Sequence, residues 1–157
     1  MIRIETDTGS IQKYEAGTSL QNVIKEIQGL KLRPIAAKVN GETKDLSFEL
    51  IENCNIEWIS ENSEEGLYIL RHSCAHLLAQ VVTEMFPNAK PTIGPPIEDG
   101  FYYDFEMEPI SSDDLPKIEK KMKQIAKQNL LIKREEYDNE TLRSKFAGNK
   151  FKLEIIK

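Results

Sequence analysis

Hydrophobic and polar residues alternate at both ends of the first 60 residues, as they do in strands with one buried face. Ile2 and Ile4 alternate with polar neighbours, and residues 11–14 follow after a polar turn. Residues 36–39 can form another strand, and the alternation returns at residues 56–59. These stretches therefore predict four strands within one small unit.

A helix is predicted between the second and third strands. Its apolar positions share one helical face and comprise Leu20, Val23, Ile24 and Ile27. Thr18 and Gln21 have the spacing of a capping box, and Gly29 can end the helix. Asn40-Gly41 is suited to a tight hairpin turn. Together these signals predict an α+β unit with the β-grasp, ubiquitin-like arrangement over residues 1–60.

The polar stretch at residues 61–66 predicts a domain boundary, with a second domain over residues 61–157. Ser63 can cap a long helix, and that helix should end near Phe86 because a proline follows. Antiparallel strands are expected to follow, so that the long helix packs on an antiparallel sheet.

Turn residues and apolar spacing predict the remaining elements of the second domain. Residues 90–105 should form a β-hairpin that turns at Glu98-Asp99-Gly100. A helix should start near Ser111 or Ser112, and another should cover residues 140–146. Residues 151–156 alternate and predict a final strand. The apolar stripe expected on the first of these helices comprises Leu115, Ile118, Met122 and Ile125.

Charge is distributed unevenly along the chain, whose net charge is −5. Residues 1–115 hold 9 Lys and Arg against 20 Asp and Glu, whereas residues 116–157 hold 12 against 6. A basic segment can meet phosphate, although lysines that merely solvate a helix face give the same composition. No membrane span or export signal is recognised, and Cys54 and Cys74 are expected to be reduced thiols in a cytoplasmic protein.

His72 and His76, the two histidines of the chain, are four residues apart on the predicted long helix. They therefore lie one turn apart on one face, roughly opposite the stripe that includes Leu77 and Val81. Histidines placed outside a core can bind a metal or transfer protons near neutral pH. Two ordinary surface histidines would show the same spacing.

A metal centre formed by this chain alone is not expected. The zinc-protease motif needs Glu directly after the first His, and Ser73 stands there. A catalytic zinc usually has three protein ligands, and Cys74 points away from the histidine face. We therefore predict no metal ligands.

Two segments and the leading unit resemble threonyl-tRNA synthetases of the bacterial type. Residues 71–79 (RHSCAHLLA) are similar to the helix that opens the editing domain of that family, and residues 93–105 (IGPPIEDGFYYDF) to its hairpin. The first 60 residues resemble the family's TGS module, including Gly17-Thr18 and residues 39–42. The resemblance spans nearly the whole chain.

The resemblance implies a site that hydrolyses the ester of mischarged Ser-tRNA(Thr). His72 and His76 would position or activate the attacking water, and Lys152 matches a lysine used near the ester. Gly94, Tyr102 and Tyr103 would contact substrate, although strand alternation places one of the two tyrosines towards the core. On its own pattern, Lys152 would be an exposed lysine on an edge strand.

In the family, a later Asp-x-Cys-x-x-x-His element faces the histidine pair, and a separate core performs aminoacylation. We therefore expect this sequence to be an N-terminal part with low hydrolytic activity alone. ATP, Mg²⁺ and zinc are expected only at the aminoacylation core, and no cofactor is expected here. The expected partner is the acceptor end of tRNA(Thr), with no membrane, and the full-length synthetase should be a homodimer.

Two other functions remain open at this point. The chain could be a non-catalytic RNA-binding or regulatory fragment that uses its basic segment, or a freestanding metal-dependent trans-editing hydrolase. The absence of the Cys/His element from the sequence argues against the freestanding hydrolase.

Overall fold

The computed structural model describes residues 1–27, 33–131 and 135–156, and these form an α+β structure. They group into two compact units, Met1–Leu70 and Arg71–Lys157. No helix in the described ranges is long and apolar enough to cross a membrane. In chain order the elements are β1 (Ile2–Thr6), β2 (Ile11–Tyr14), β3 (Thr18–Ser19), α1 (Leu20–Glu26), β4 (Pro34–Val39), β5 (Glu42–Asp45), β6 (Glu49–Leu50), β7 (Cys54–Ser60), α2 (Glu64–Met85), β8 (Lys90–Pro91), β9 (Pro96–Ile97), β10 (Gly100–Phe101), β11 (Phe105–Glu106), α3 (Leu115–Lys127), α4 (Asn139–Lys145) and α5 (Lys150–Ile155).

The first unit contains a mixed five-stranded sheet in the order β2-β1-β7-β4-β5. Its first and last long strands, β1 and β7, run parallel, and the other neighbours are antiparallel. The short strands β3 and β6 pair separately. The four predicted strands are confirmed as β1, β2, β4 and β7, and β5 continues the predicted hairpin. The fold class predicted from the sequence is also confirmed.

The Asn40-Gly41 turn has the backbone conformation that its sequence predicts. Val39 pairs with Glu42, so the two residues between them form the whole loop. Asn40 has φ 51° and Gly41 has φ 86°, both left-handed. A two-residue loop of this kind matches the twist of the flanking strands, and asparagine and glycine tolerate the conformation best.

Helix α1 covers one face of this sheet through Leu20 and Val23, both completely buried. The N-cap of α1 is Ser19, whose hydroxyl accepts a hydrogen bond from the Asn22 backbone, so the capping box expected at Thr18 is wrong. Thr18 instead donates to the carbonyl oxygen of Glu15. The predicted stop at Gly29 lies outside the described residues.

In the second unit, an apolar cluster joins α2, the following hairpin and α3. Val81 and Val82 are buried beside Ile118 and Ile125 of α3, and Phe105 of the hairpin packs against them. The predicted stripe on α3 is confirmed except at Leu115, which is 57 % exposed. Ser63 accepts a hydrogen bond from the backbone of Gly66 and so caps α2 as expected.

The hairpin after α2 consists of two short ladders, β8 with β11 and β9 with β10. Between the ladders, the backbone of Thr92 donates to Asp104 and that of Asp104 donates to Ile93. Ile97 pairs with Gly100, so a two-residue turn connects β9 and β10. The predicted hairpin is confirmed, and its turn has no left-handed residue.

The last part of the described chain is helical, and the strand predicted for residues 151–156 is wrong. Residues Lys150–Ile155 form α5, whose N-cap Asn149 accepts hydrogen bonds from two backbone N–H groups of the first turn. Ile155 is 64 % exposed, whereas a half-buried strand would have covered it together with Phe151. The preceding helix, predicted at residues 140–146, is confirmed as α4. A strong side-chain cap has therefore overridden a weak period-two pattern.

Candidate active site around the histidine pair

His72 and His76 lie on α2 and contact each other through their ring nitrogens. Their Nε2 atoms are 2.9 Å apart, and the ring centroids are separated by 4.6 Å in an edge-to-face arrangement. Both side chains are exposed, so they lie outside the apolar core. One ring must donate and the other accept, and the tautomers decide which does so.

The environment of His76 favours its neutral form. Partial burial of the ring is the largest cause that lowers the pKa of His76, and positive charge on His72 and on Lys152 lowers it further. A neutral imidazole has a ring nitrogen that can accept a proton near neutral pH. The geometry and the charges therefore suit His76 to hold a water molecule or to accept a proton from it.

Lys152 is held against the hairpin by two contacts. Its ammonium donates to the backbone oxygen of Thr92 at 3.2 Å and to the hydroxyl of Tyr103 at 3.5 Å. The side chain is half-buried on α5, and the exposed edge-strand position expected from pattern alone is wrong. Because lysine has three N–H donors, the two contacts leave one for another acceptor.

Tyr103 reaches Lys152 because its ring lies directly over Gly94. A Cβ added at Gly94 would collide with the Cδ2, Cγ and Cε2 atoms of that ring. On its other side the ring packs against Phe105, with centroids 5.0 Å apart. In this structure Gly94 makes room for Tyr103, and its expected contact with substrate stays a prediction.

The two hairpin tyrosines face different surroundings, as the alternation of a strand predicts. Tyr103 is half-buried in the contact with Lys152, whereas Tyr102 is 45 % exposed. Within the second unit, the structure therefore holds His72 against His76 and Lys152 against Tyr103, and the charge of Lys152 lowers the pKa of His76. Tyr102 lies at the surface. A role for Tyr102 in binding substrate stays a prediction.

Two groups in this cluster carry no recognisable signal in the sequence. The backbone oxygen of Thr92 accepts from Lys152, and Asn149 links α5 to the hairpin through a hydrogen bond to Pro91. A carbonyl oxygen is present in every residue, so no pattern could have marked Thr92. Asn149 would have been recognised as a helix cap had the segment after it been predicted helical.

Among the residues that the structure describes, no three or more His, Cys, Asp or Glu side chains are grouped so that they could hold an ion. Cys74 is half-buried on α2, and Cys54 is buried in the first unit.

Comparison with known proteins gives consistent relatives. No family model matches the chain. It is 44% identical over 160 aligned residues to "Threonine--tRNA ligase 1" of Bacillus subtilis, an alignment that covers 99% of this chain. It is 53% identical over 152 residues to the threonine--tRNA ligase of Thermobifida fusca, covering 96%, and 46% identical over 160 residues to that of Ehrlichia chaffeensis, covering 99%. The chain spans about a quarter of the length of these relatives, with 25%, 23% and 25% covered. Over nearly all of its own length, this chain is therefore homologous to a portion of the threonine--tRNA ligases.

Proposed function

We propose that this chain supplies part of the editing site of a threonine--tRNA ligase, where the ester of mischarged Ser-tRNA(Thr) is hydrolysed. The proposal is supported by the contact between His72 and His76 on α2, and by Lys152 of α5, which is anchored to the hairpin and whose charge lowers the pKa of His76. The relatives support the setting, since each is named a threonine--tRNA ligase.

The need for a hydrolytic site follows from the similarity of the two amino acids. Serine lacks one methyl group of threonine, and one such group changes binding by only about 1–3 kcal/mol. A synthetic site that accepts threonine therefore attaches serine at a measurable rate. A second site that hydrolyses the wrong ester restores accuracy.

In the proposed reaction, water attacks the carbonyl carbon of the seryl ester. A new C–O bond forms to the water oxygen, and the bond between that carbon and the ribose oxygen breaks. In this proposal, a water molecule takes the place of one histidine ring beside the Nε2 atom of the other histidine. That Nε2 atom can then accept a proton from the water. That proton passes to the ribose oxygen as it leaves, so that free serine and deacylated tRNA are formed.

Lys152 has the complementary role in this proposal. Its ammonium is fixed by the carbonyl oxygen of Thr92 and the hydroxyl of Tyr103, and its remaining N–H can donate to the developing oxyanion. A donor that is already in position stabilises the transition state without reorganisation. The Tyr103 hydroxyl keeps this ammonium on the side of α5 that faces the hairpin.

The remaining expectations concern the partner. We propose that the acceptor end of tRNA(Thr) is bound, that the exposed ring of Tyr102 stacks on the terminal adenosine, and that Gly94 lies close to the substrate. ATP, Mg²⁺ and zinc are assigned to aminoacylation and not to this site. A homodimeric synthetase in the cytoplasm is part of the same proposal.

The test is deacylation of Ser-tRNA(Thr) by this chain, alone and fused in place of the homologous quarter of the Bacillus subtilis ligase. We expect the fusion to hydrolyse the ester and the isolated chain to be slower, because groups that act as one catalytic unit are strongly non-additive. In the fusion, His76→Ala and Lys152→Ala should each reduce the rate by about 10²-fold or more. Threonine activation should not change.

Lys150→Ala is the matched control for Lys152→Ala. Lys150 lies on the same helix but pairs with Glu106 at the surface, at 2.7 Å. Its substitution should leave hydrolysis within about twofold of the parent, because exposed ion pairs contribute little. Fusions in which His76→Ala and Lys152→Ala hydrolyse as fast as the parent would refute the proposal. Binding of tRNA without hydrolysis would instead favour a non-catalytic RNA-binding function.

A further inference from the structure

The side chain of Asn149, just before α5, uses both ends of its amide. Its Oδ1 atom accepts hydrogen bonds from the backbone N–H groups of Phe151 at 3.1 Å and Lys152 at 3.2 Å. Its Nδ2 atom donates to the backbone oxygen of Pro91 at 3.0 Å, and these contacts are partly buried. One residue therefore starts the helix and ties that start to strand β8 of the hairpin.

The hydrogen bond from Asn149 to Pro91 lies next to the one that holds Lys152. Pro91 accepts from Asn149, and the adjacent residue Thr92 accepts from the ammonium of Lys152. The first turn of α5 is thus held to two consecutive carbonyl groups, once through its cap and once through Lys152. Since a lysine side chain has many rotamers, fixing the backbone beside it limits where the ammonium can go.

The chemistry of the contact explains why asparagine occupies this position. Serine, aspartate and asparagine are all good N-caps because each accepts hydrogen bonds from the first turn. Aspartate has no donor, and serine has its donor and acceptor on one short hydroxyl. Asparagine accepts through its carbonyl oxygen and can donate to a carbonyl oxygen through a separate amide N–H at the same time. Lys150 of α5 also pairs with Glu106 of the hairpin, but these side chains are 61% and 44% exposed, and such pairs contribute little.

We propose that Asn149 is a positioning residue that places the ammonium of Lys152 beside His76 through its hydrogen bond to Pro91. The role of Asn149 in catalysis rests on the proposed function, whereas the position of the Lys152 ammonium can be measured without substrate. Asn149 touches no reacting group in this scheme, and it acts only through Lys152.

The readout is the titration of the two histidines, followed by NMR in this chain. Lys152 is one of the charges that lower the pKa of His76, together with His72, and burial is the larger cause. Lys152→Met should therefore raise the pKa of His76. Asn149→Ser retains a capping hydroxyl but loses the amide donor, and we expect it to shift the pKa of His76 in the same direction.

Three comparisons separate the link to the hairpin from capping of the helix. If the hydrogen bond to Pro91 matters, the pKa of His76 should be the same in Asn149→Ser as in Asn149→Ala. If only the cap matters, the pKa of His76 in Asn149→Ser should equal that in the unsubstituted chain, and the proposal is overturned. In a Lys152→Met background, Asn149→Ser should cause no further shift. If Asn149→Ser shifted the pKa of His76 equally with and without Lys152, its effect would be independent of Lys152, and this would also overturn the proposal.

Ser111→Ala supplies the matched control. Ser111 forms a capping box with Asp114 at the start of the 3₁₀ turn before α3, so its loss removes a cap elsewhere in the same unit. We expect it to leave the His76 titration unchanged. An unchanged His76 pKa in Lys152→Met would refute the placement of Lys152 itself. Because none of these measurements uses tRNA, failure of the editing reaction would leave their outcome intact.

Discussion

The two units differ in what holds their important residues in place. In the first unit, Ile4, Leu20 and Ile56 are almost completely buried in a core that is apolar on both the sheet and the helix. In the second unit, the apolar cluster is smaller in the described ranges, and the candidate site lies outside it. The histidines and Lys152 of this site are positioned by individual hydrogen bonds, either to each other or to the hairpin. Asn149 is bonded to the hairpin in the same way.

Because of this difference, mutations in the two units should have different effects on stability and on function. Burial of a large apolar side chain contributes several times more than one hydrogen bond, whose net contribution is about 0.5–1.5 kcal/mol. Substitutions in the first unit should therefore affect folding without touching the site. Substitutions at the site should disturb its geometry more than its stability. Natural reporters exist for both units, since Trp58 is the single tryptophan and the two histidines lie in the second unit.

The largest expected effect is that of Leu20→Ala in the first unit. Leu20 is completely buried, and its truncation should lower the free energy of unfolding by about 2–5 kcal/mol. Urea unfolding followed by Trp58 fluorescence measures this loss. The NMR signals of His72 and His76 should keep their positions in the folded protein, because the core around Leu20 consists of first-unit residues.

Ile11→Ala is the matched control for Leu20→Ala. Ile11 belongs to the same sheet but is 54% exposed, so its truncation should change the free energy of unfolding by less than about 0.5 kcal/mol. If the two variants were equally unstable, or if Leu20→Ala moved both histidine signals, the contrast between the units would be wrong.

A smaller effect is expected from Gly94→Ala in the second unit. The added Cβ would collide with the ring of Tyr103, so that the ring must shift, and we expect this to disturb its contact with Lys152. Overpacking of this kind costs about 1–3 kcal/mol, and we expect the rate of ester hydrolysis in the fused synthetase to fall as well. The measurements are urea unfolding followed by the histidine signals and the initial rate of deacylation.

Gly100→Ala tests whether that effect comes from the collision. Gly100 lies in the same hairpin, but a Cβ there meets no atom within 4 Å and its backbone is not left-handed. We expect its stability to stay within about 0.5 kcal/mol of the parent and its activity to be unchanged. Loss of activity in Gly100→Ala equal to that in Gly94→Ala would show that the hairpin is merely intolerant of substitution.

The fold of the first unit could be predicted because its signals are local and agree with one another. Alternation located β1 and β7, turn residues marked the chain beside β2 and β4, and Asn40-Gly41 specified a turn that the backbone adopts. The cap of α1 was misplaced by one residue, because Thr18 and Ser19 are both good capping residues and only the backbone decides between them. The short strands β3 and β6 depend on pairing across the chain, which no local pattern records.

The candidate site was predicted less completely, because its contacts join residues far apart in sequence. Helical spacing placed His72 and His76 together, and α2 carries them as expected. Lys152 is held by Thr92, which is 60 residues away in sequence, and by Tyr103, which is 49 residues away. Nothing in the sequence near Lys152 indicates these contacts. Its helix was predicted as a strand because apolar residues alternate over residues 151–156, and the cap at Asn149 was not recognised.

The smallest expected effect is a dependence of second-unit stability on pH near the ordinary histidine pKa. His76 has a pKa below its usual 6.5 in the folded protein. As pH falls through that value, the unfolded chain binds a proton before the folded one does, so the free energy of unfolding should decrease. The loss is complete once pH lies below the folded pKa, and above 6.5 the contribution of His76 is fully present.

His76→Gln should remove this component, so the decisive quantity is the difference between parent and variant in urea unfolding at pH values above and below 6.5. Carboxylates whose pKa is lowered by partners, such as Glu106 beside Lys150, titrate below their usual 4.5 and fall outside this window. The first unit contains no histidine, and its transition, followed by Trp58, serves as the internal reference. A pH slope in His76→Gln equal to that of the parent would show that the ring is solvated as in an unfolded chain, and that the charge of Lys152 does not reach it.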